Sequence, residues 1–277
     1  MTTRGDWVRA AAHELEAADI PDPHREARHL LRAVLGVPPE HLAAELVETG
    51  TATEQEAYES RLRRRVAREP LSHITGERLF WGRSFKVSPA VLDPRPETET
   101  LVAEALHHGP CNSVLDLGVG SGCIVLTLLA EWPHAHGTGA DISTRALEVA
   151  SGNAHKLGVS ERVDLVQSDW MSSVSGRFDL IVSNPPYISE AERSALAPEV
   201  RDHEPDLALF AGDDGLDAYR VLAKDTRNHL NPGGRLLLEV GSGQSEAVCT
   251  LLAECGWTVR AVIPDLDHRP RVVVAVI

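Results

Sequence analysis

The sequence predicts an α/β protein: an open, mostly parallel sheet covered on both faces, preceded by a small all-helical domain. Residues 1 to about 70 place their apolar side chains only at helical spacing. After Pro110 the rhythm changes to strand, helix, strand, with seven short apolar runs, as expected of parallel strands joined by crossover helices. The first of these runs ends in Gly118-Val119-Gly120-Ser121-Gly122, a sharp turn between strand and helix that glycines permit. At 277 residues and 43% hydrophobic content the chain can bury a full core in one or two domains.

In chain order, Trp7, Val8, Ala11, Leu15 and Ala18 mark a first helix; Ala27, Leu30, Leu31, Val34 and Leu35 mark a second over 24–35. Pro21, Pro23, Pro38 and Pro39 punctuate them. Thr53 with Glu56 reads as a capping box opening a third helix through Tyr58, Leu62 and Val66, which stops before Pro70. Its arginines, Arg61, Arg63, Arg64, Arg65 and Arg68, read as a solvated face. Leu79-Phe80-Trp81 and Ser84-Phe85-Lys86-Val87 around Gly82 predict a β-hairpin. Pro94-Arg95-Pro96-Glu97-Thr98-Glu99 then breaks the chain and opens a helix over 98–108, with acids in the first turn where the helix dipole favours them. Strands are expected at 113–117, 136–140, 163–167, 178–183, 235–240, 257–263 and 271–276. The long acidic segment 188–217 is expected to be a substrate-facing flap. The domain reading is 1–72 helical, 73–93 hairpin linker and 94–277 sheet domain.

A formal net charge of −14 argues against non-specific attachment to phosphate backbones or anionic membranes. No basic start precedes an apolar stretch, and no apolar run approaches the roughly 20 residues of a span, so a soluble, cytoplasmic protein is expected. Cys111, Cys123, Cys249 and Cys255 form no C-x-x-C pair, which predicts reduced, partly buried thiols. The thirteen histidines lack a matching set of acidic or Cys ligands, and no metal site is expected.

Chemistry is expected where strands end, because open α/β sheets bind ligands at the carboxyl edge. The run 178–183 leads into Asn184-Pro185-Pro186-Tyr187. Each proline fixes its own φ and holds the residue before it extended, so the Asn184 carboxamide and the Pro185 carbonyl become two rigid acceptors. Asn-Pro-Pro is equally the composition of a stiff turn. The glycine loop reads G-x-G-x-G, a poor match to the G-x-G-x-x-G dinucleotide fingerprint. Asp141, at the second strand end, suits two ribose hydroxyls or a helix cap. Asp169-Trp170, at the third, suits an exocyclic amine and a purine face, or a core tryptophan. Taken together around one crevice they converge on adenosine. With no Walker loop or phosphate lysine, that ligand reads as S-adenosyl-L-methionine.

On these residues the chain resembles the class I methyltransferases of the HemK/PrmC family, the protein-(glutamine-N5) methyltransferases of class 1 peptide chain release factors. The resemblance also runs through segment 76–85, the Pro-Arg-Pro-Glu-Thr-Glu run, Glu204-Pro205, Gly212-x-x-Gly215-Leu216, Pro232-Gly233-Gly234, Leu238-Glu239-Val240-Gly241 and Arg271-Val272-Val273. It implies a Rossmann-like methyltransferase domain with a seven-stranded, mostly parallel sheet, and a helical N-terminal domain that recognises the substrate. It implies S-adenosyl-L-methionine held by Gly118, Val119, Gly120, Ser121, Gly122, Asp141, Asp169, Trp170 and Asn184. The target glutamine, in a release-factor Gly-Gly-Gln loop, would meet Asn184, Pro185, Pro186 and Tyr187, of which Asn184, Pro185 and Tyr187 carry catalysis. No metal, stable nucleic acid or membrane partner is implied. The chain departs from the family pattern at His73 (usually Tyr), Asp93 (aliphatic) and Val119 (Thr), and 265–270 lacks the expected glycine. Two rivals are a nucleic-acid exocyclic-amine methyltransferase and a non-catalytic cofactor-binding interaction module.

Overall fold

A computed structural model describes residues 2–277, which divide into two units. The helical unit extends to Gly76 and includes Ala197–His203; the remainder forms the sheet unit. In the helical unit, α1 (Arg4–Ala17), α2 (Pro23–Leu35), α3 (Leu42–Glu45), α4 (Ala52–Val66) and α5 (Leu71–Thr75) enclose a core of Trp7, Leu15, Leu30, Leu31, Tyr58 and Leu62. The Tyr58 hydroxyl donates to the Ala27 carbonyl at 3.0 Å, so the buried phenol keeps a partner.

Two expectations for α4 are corrected. Its cap is Thr51 with Glu54, not Thr53 with Glu56. An N-cap must itself be extended, as Thr51 is (φ −79°, ψ 159°), whereas Thr53 already lies inside the first turn. Nor is the arginine face wholly solvated. Arg65 is buried and forms ion pairs with Glu26 and with Glu199 of the short helix Pro198–Arg201; Arg68 also reaches Glu199, at 2.9 Å.

The sheet unit opens with the hairpin β1 (Glu77–Phe80) and β2 (Arg83–Lys86). Its turn is tied down where the Trp81 N–H donates to Glu99 Oε1 at 2.7 Å. The main sheet comprises β3 (Ser113–Leu117), β4 (His136–Asp141), β5 (Val163–Gln167), β6 (Phe178–Ser183), β7 (Leu230–Glu239), β8 (Thr258–Pro264) and β9 (Pro270–Val276). Their order is β5-β4-β3-β6-β7-β9-β8, with β9 antiparallel to both neighbours and the rest parallel. Alternation along β3 sends Val114 to one core cluster and Leu115 and Leu117 to the other, so both faces are covered. β7 begins five residues before the expected 235, because the register to β6 shifts between Phe178/Leu230 and Leu180/Arg235, absorbing Asn231–Gly234 as a bulge.

The turn between β8 and β9 explains the absent glycine. His268 takes a left-handed φ of 63°. Asp265 Oδ1 accepts the N–H groups of Asp267 and Arg269, both at 3.0 Å, and its other oxygen pairs with Arg271. One carboxylate therefore holds the conformation that a glycine would otherwise adopt.

Candidate functional site

Strand order reverses between β3 and β6, since the chain steps outward through β4 and β5 and then returns to the other side of β3 for β6 and β7. Such a switch point leaves a crevice at the carboxyl ends. A cavity of about 300 Å3 lies there, lined by residues of the glycine loop, the ends of β4 and β6, the turn after β5, the Pro94–Arg95 region and the flap.

Gly118, Val119, Gly120 and Ser121 line this cavity and Gly122 does not. Gly118 and Val119 both donate to the Ala140 carbonyl, which clamps the start of the loop to β4. Gly120 sits at φ 52° and donates to Asp141 Oδ2 at 2.9 Å. Gly122 at φ 79° begins helix Cys123–Glu131, and a Cβ there would lie 2.7 Å from Leu126, so its role is packing. Asp141 Oδ1 accepts the Ser143 N–H at 2.9 Å. Both carboxylate oxygens are therefore oriented by backbone while each keeps a further lone pair for a ligand hydroxyl. Beneath the loop, Asp116 is fully buried and burial pushes its carboxyl up to about 7.

Asp169 and Trp170 also line the cavity. Trp170 has φ 48°, a strained value for a bulky residue, and Ser168 Oγ holds the turn by donating to the Trp170 carbonyl at 2.7 Å and accepting the Ser173 N–H at 2.9 Å. The flap supplies Pro205, Leu207 and Ala208. Arg95, itself a lining residue, grips the buried Glu204 carboxylate through both oxygens at 2.7 Å. Burial pushes Glu204 up to about 7 against the pull of Arg95.

Asn184 and Pro186 reach the cavity; Pro185 is buried, and Tyr187 packs against the core cluster under β7 without lining the cavity. Burial pushes the Tyr187 phenol up to about 12, so it stays neutral. The main chain here is fixed from behind. Gln244 Nε2 donates to the Tyr187 carbonyl at 2.8 Å, and a Cβ on Gly215 would fall 2.3 Å from that oxygen. The Asn184 Nδ2 donates to Thr98 Oγ1 at 3.1 Å, while Asn184 Oδ1 is buried with no partner among the described residues. The Glu239 carboxylate faces Thr98, which favours its charged form, but burial pushes it up to about 7, and its Oε2 is buried with no hydrogen-bond partner among the described residues. A buried orphan acceptor costs about 1 to 3 kcal/mol, which is sustained where a ligand donor will meet it.

Sequence reasoning missed Thr98, Glu239, Glu204 and Gln244 as parts of the site. One signal was present. Glu239 closes the apolar run Leu236-Leu237-Leu238, and a carboxylate in a buried strand needs a specific partner. The departures fall outside the cavity except Val119: His73 is buried in α5, and Asp93 lies 3.6 Å from Arg78.

The fit to an adenosyl ligand rests on the cavity itself: an oriented carboxylate at the β4 end, an indole at the β5 end, and a glycine loop whose main chain faces the space between. No group of His, Cys, Asp and Glu able to hold a metal occurs among the described residues. No helix among them is long and apolar enough to cross a membrane.

Residues 93–200 match the family described as Methyltransferase small domain, and residues 6–76 match the PrmC N-terminal domain. A protein of Cereibacter sphaeroides named release factor glutamine methyltransferase is 51% identical over 270 residues, covering 98% of this chain and 97% of that one. Among solved structures, a methyltransferase from Pyrococcus furiosus aligns with a TM-score of 0.53 at 17% identity, over 78% of this chain and 96% of that one. The Thermus thermophilus 16S rRNA N2 G1207 methyltransferase, solved with AdoMet and guanosine, aligns at 0.51 and 21% identity, over 72% of this chain and 49% of that one. At those identities the two structures share the fold.

Proposed function

The chain belongs to the release factor glutamine methyltransferase family, and from that premise we propose that it methylates the side-chain amide nitrogen (N5) of the Gly-Gly-Gln glutamine in class 1 release factors, using S-adenosyl-L-methionine. The observation that carries this reading is the buried, unpartnered Asn184 Oδ1 on a residue that lines the same cavity as the glycine loop, Asp141, Asp169 and Trp170. The cofactor supplies an electrophilic methyl group. Asp141 would hold its ribose, Asp169 and Trp170 its base, and Gly118 to Ser121 the approach of its chain.

A carboxamide nitrogen is a weak nucleophile because its lone pair is delocalised. Asn184 Oδ1 and the Pro185 carbonyl each accept one of its N–H bonds and fix its orientation. Positive charge develops on that nitrogen as the bond forms, so both dipoles bind the transition state more strongly than the ground state. The N-protonated amide then loses its proton readily, and no strong base is needed. Tyr187, packed against the core and held through its carbonyl by Gln244, supports the Asn184-Pro185-Pro186 turn from behind. The helical unit takes the substrate-recognition role, and a translation-factor substrate implies a cytoplasmic enzyme. A labelled-methyl assay against purified release factor, DNA and ribosomal RNA, with mass spectrometry to locate the methyl, tests the assignment. Label on a base rather than on glutamine overturns it.

Thr98 and Glu239 act as positioning residues. An ionised Glu239 would accept a hydrogen bond from the Thr98 hydroxyl, which leaves Thr98 Oγ1 to accept from Asn184 Nδ2 and turns Asn184 Oδ1 toward the substrate. Methyl transfer should therefore rise through about pH 7 as Glu239 ionises. Stability should move the other way. A carboxylate whose folded pKa is raised stabilises the fold below its unfolded pKa of about 4.3, and that contribution is lost as pH rises through the folded value. Glu239→Gln should flatten both profiles. Thr98→Val should lower kcat roughly 5- to 20-fold, the loss of one neutral hydrogen bond plus a misdirected amide. An unchanged pH profile in Glu239→Gln would sink the relay.

A further inference from the structure

The helical unit carries a groove of about 550 Å3 that the proposed chemistry does not use. α2 presents Arg25, Arg28 and Arg32 to it at i, i+3 and i+7, one face of a helix. Pro23, Pro39 and Leu42 give it an apolar lining, and among the described residues Asp22 is the only acid on its wall. Several other arginines of this unit are neutralised: Arg4 by Glu45 and Glu54, Arg9 by Asp6, Arg64 by Glu69, and Arg65 and Arg68 by Glu199. Arg25, Arg28 and Arg32 have no ion pair among the described residues, although Glu26 lies on the same helix and is directed to Arg65. In a chain of formal charge −14, three unneutralised guanidiniums along one groove form a concentrated positive field. His29 on the same wall reports that field, since burial first and then Arg32 and Arg25 hold its pKa below the ordinary histidine value.

We propose that this α2 groove is the docking surface for an acidic polypeptide segment of the substrate protein, lying outside the loop that is methylated. The inference rests on the release-factor reading above. Guanidiniums on a rigid helix match carboxylates in a forked geometry that lysines would not give, and the apolar lining suits side chains that flank such acids. A polyphosphate partner fits less well, because the charge of the whole chain repels a long polyanion whereas a short acidic segment meets only the groove.

The test compares the wild type with Arg25→Glu/Arg28→Glu/Arg32→Glu on two substrates, full-length class 1 release factor and a short peptide containing only the Gly-Gly-Gln loop. With the release factor, kcat/KM should fall on the order of 10- to 100-fold, the loss of one or more charge-assisted contacts, and the loss should lie in KM. Added salt should reduce the gap between the two proteins. Rates on the peptide and the affinity for S-adenosylhomocysteine should stay within about 2-fold. Arg28→Gln, at an exposed position, gives a smaller loss in the same direction and answers the question if the triple variant does not fold. An unchanged KM for the release factor in a folded variant, beside an active wild type, overturns the docking surface alone. A wild type that methylates neither substrate overturns the release-factor reading and this inference with it. Loss of binding to an RNA oligomer with unaltered release-factor kinetics also overturns it, in favour of a nucleic-acid contact.

Discussion

Asn184→Ala should reduce methyl transfer on the order of 10- to 150-fold while the fold and the cofactor affinity persist. The size follows from the loss of one acceptor facing a nitrogen that becomes charged, a hydrogen bond worth roughly 1.5 to 3 kcal/mol. Persistence of the fold follows from how the loop is held. Ser183 Oγ donates to the Leu117 carbonyl at 2.6 Å, Gln244 grips the Tyr187 carbonyl at 2.8 Å, and the two prolines fix the backbone between them. None of these uses the Asn184 side chain, which among the described residues hydrogen-bonds only Thr98. Truncation also removes the orphan Oδ1, so Tm should hold or rise slightly. Single-turnover transfer with labelled cofactor measures the chemical step, and calorimetry with S-adenosylhomocysteine measures binding. Near wild-type turnover would mean that Asn184 is a stiff turn after all, the alternative that Asn-Pro-Pro leaves open in isolation.

Much of the sheet unit was legible because its signals are local. Apolar runs of strand length ended in Asp141, Asp169 and Asn184, and a parallel sheet carries successive strand ends to one edge. Exact agreement at β3, β5 and β6 reflects runs bounded by turn residues on both sides. β7 was read short because Pro232-Gly233-Gly234 looks like a turn, and only pairing with β6 reveals it as a bulge within a longer strand. Thr51 and Thr53 both precede an acid at capping-box distance, and the choice between them depends on where the preceding chain is extended. Arg65 could not be separated from its neighbours, since its burial is created by Glu26 and Glu199, the latter far along the chain. The same limit hid the Glu239, Thr98 and Asn184 relay. Each residue lay inside a noted segment, but nothing in a one-dimensional pattern says that the end of β7 and the turn before helix Glu99–His107 meet next to Asn184.

Asp141→Ala should weaken S-adenosylhomocysteine binding on the order of 100-fold, toward the upper end of what one charge-assisted contact contributes. Two contributions combine. The carboxylate is placed to accept ligand hydroxyls, and charge-assisted hydrogen bonds contribute roughly 1.5 to 3 kcal/mol each. It also accepts the Gly120 N–H and the Ser143 N–H, both at 2.9 Å, and so braces the glycine loop against the start of helix Thr144–Lys156. Without it, Gly120 at φ 52° keeps no side-chain partner, and the loop must be ordered by the ligand at the moment of binding. Asp141→Asn separates the two effects. Its Oδ1 can still accept one of the two backbone N–H groups, but its NH2 cannot accept the other and the charge is gone, so it should fall between wild type and alanine. The damage should appear in cofactor Kd and in the KM for cofactor, with kcat at saturating cofactor within about 5-fold, because Asn184 and its relay lie on a different strand end. Calorimetry on the three proteins checks the order. Equal affinity in wild type and Asp141→Ala would remove the ribose assignment and leave Asp141 as the helix cap that its sequence context also allows.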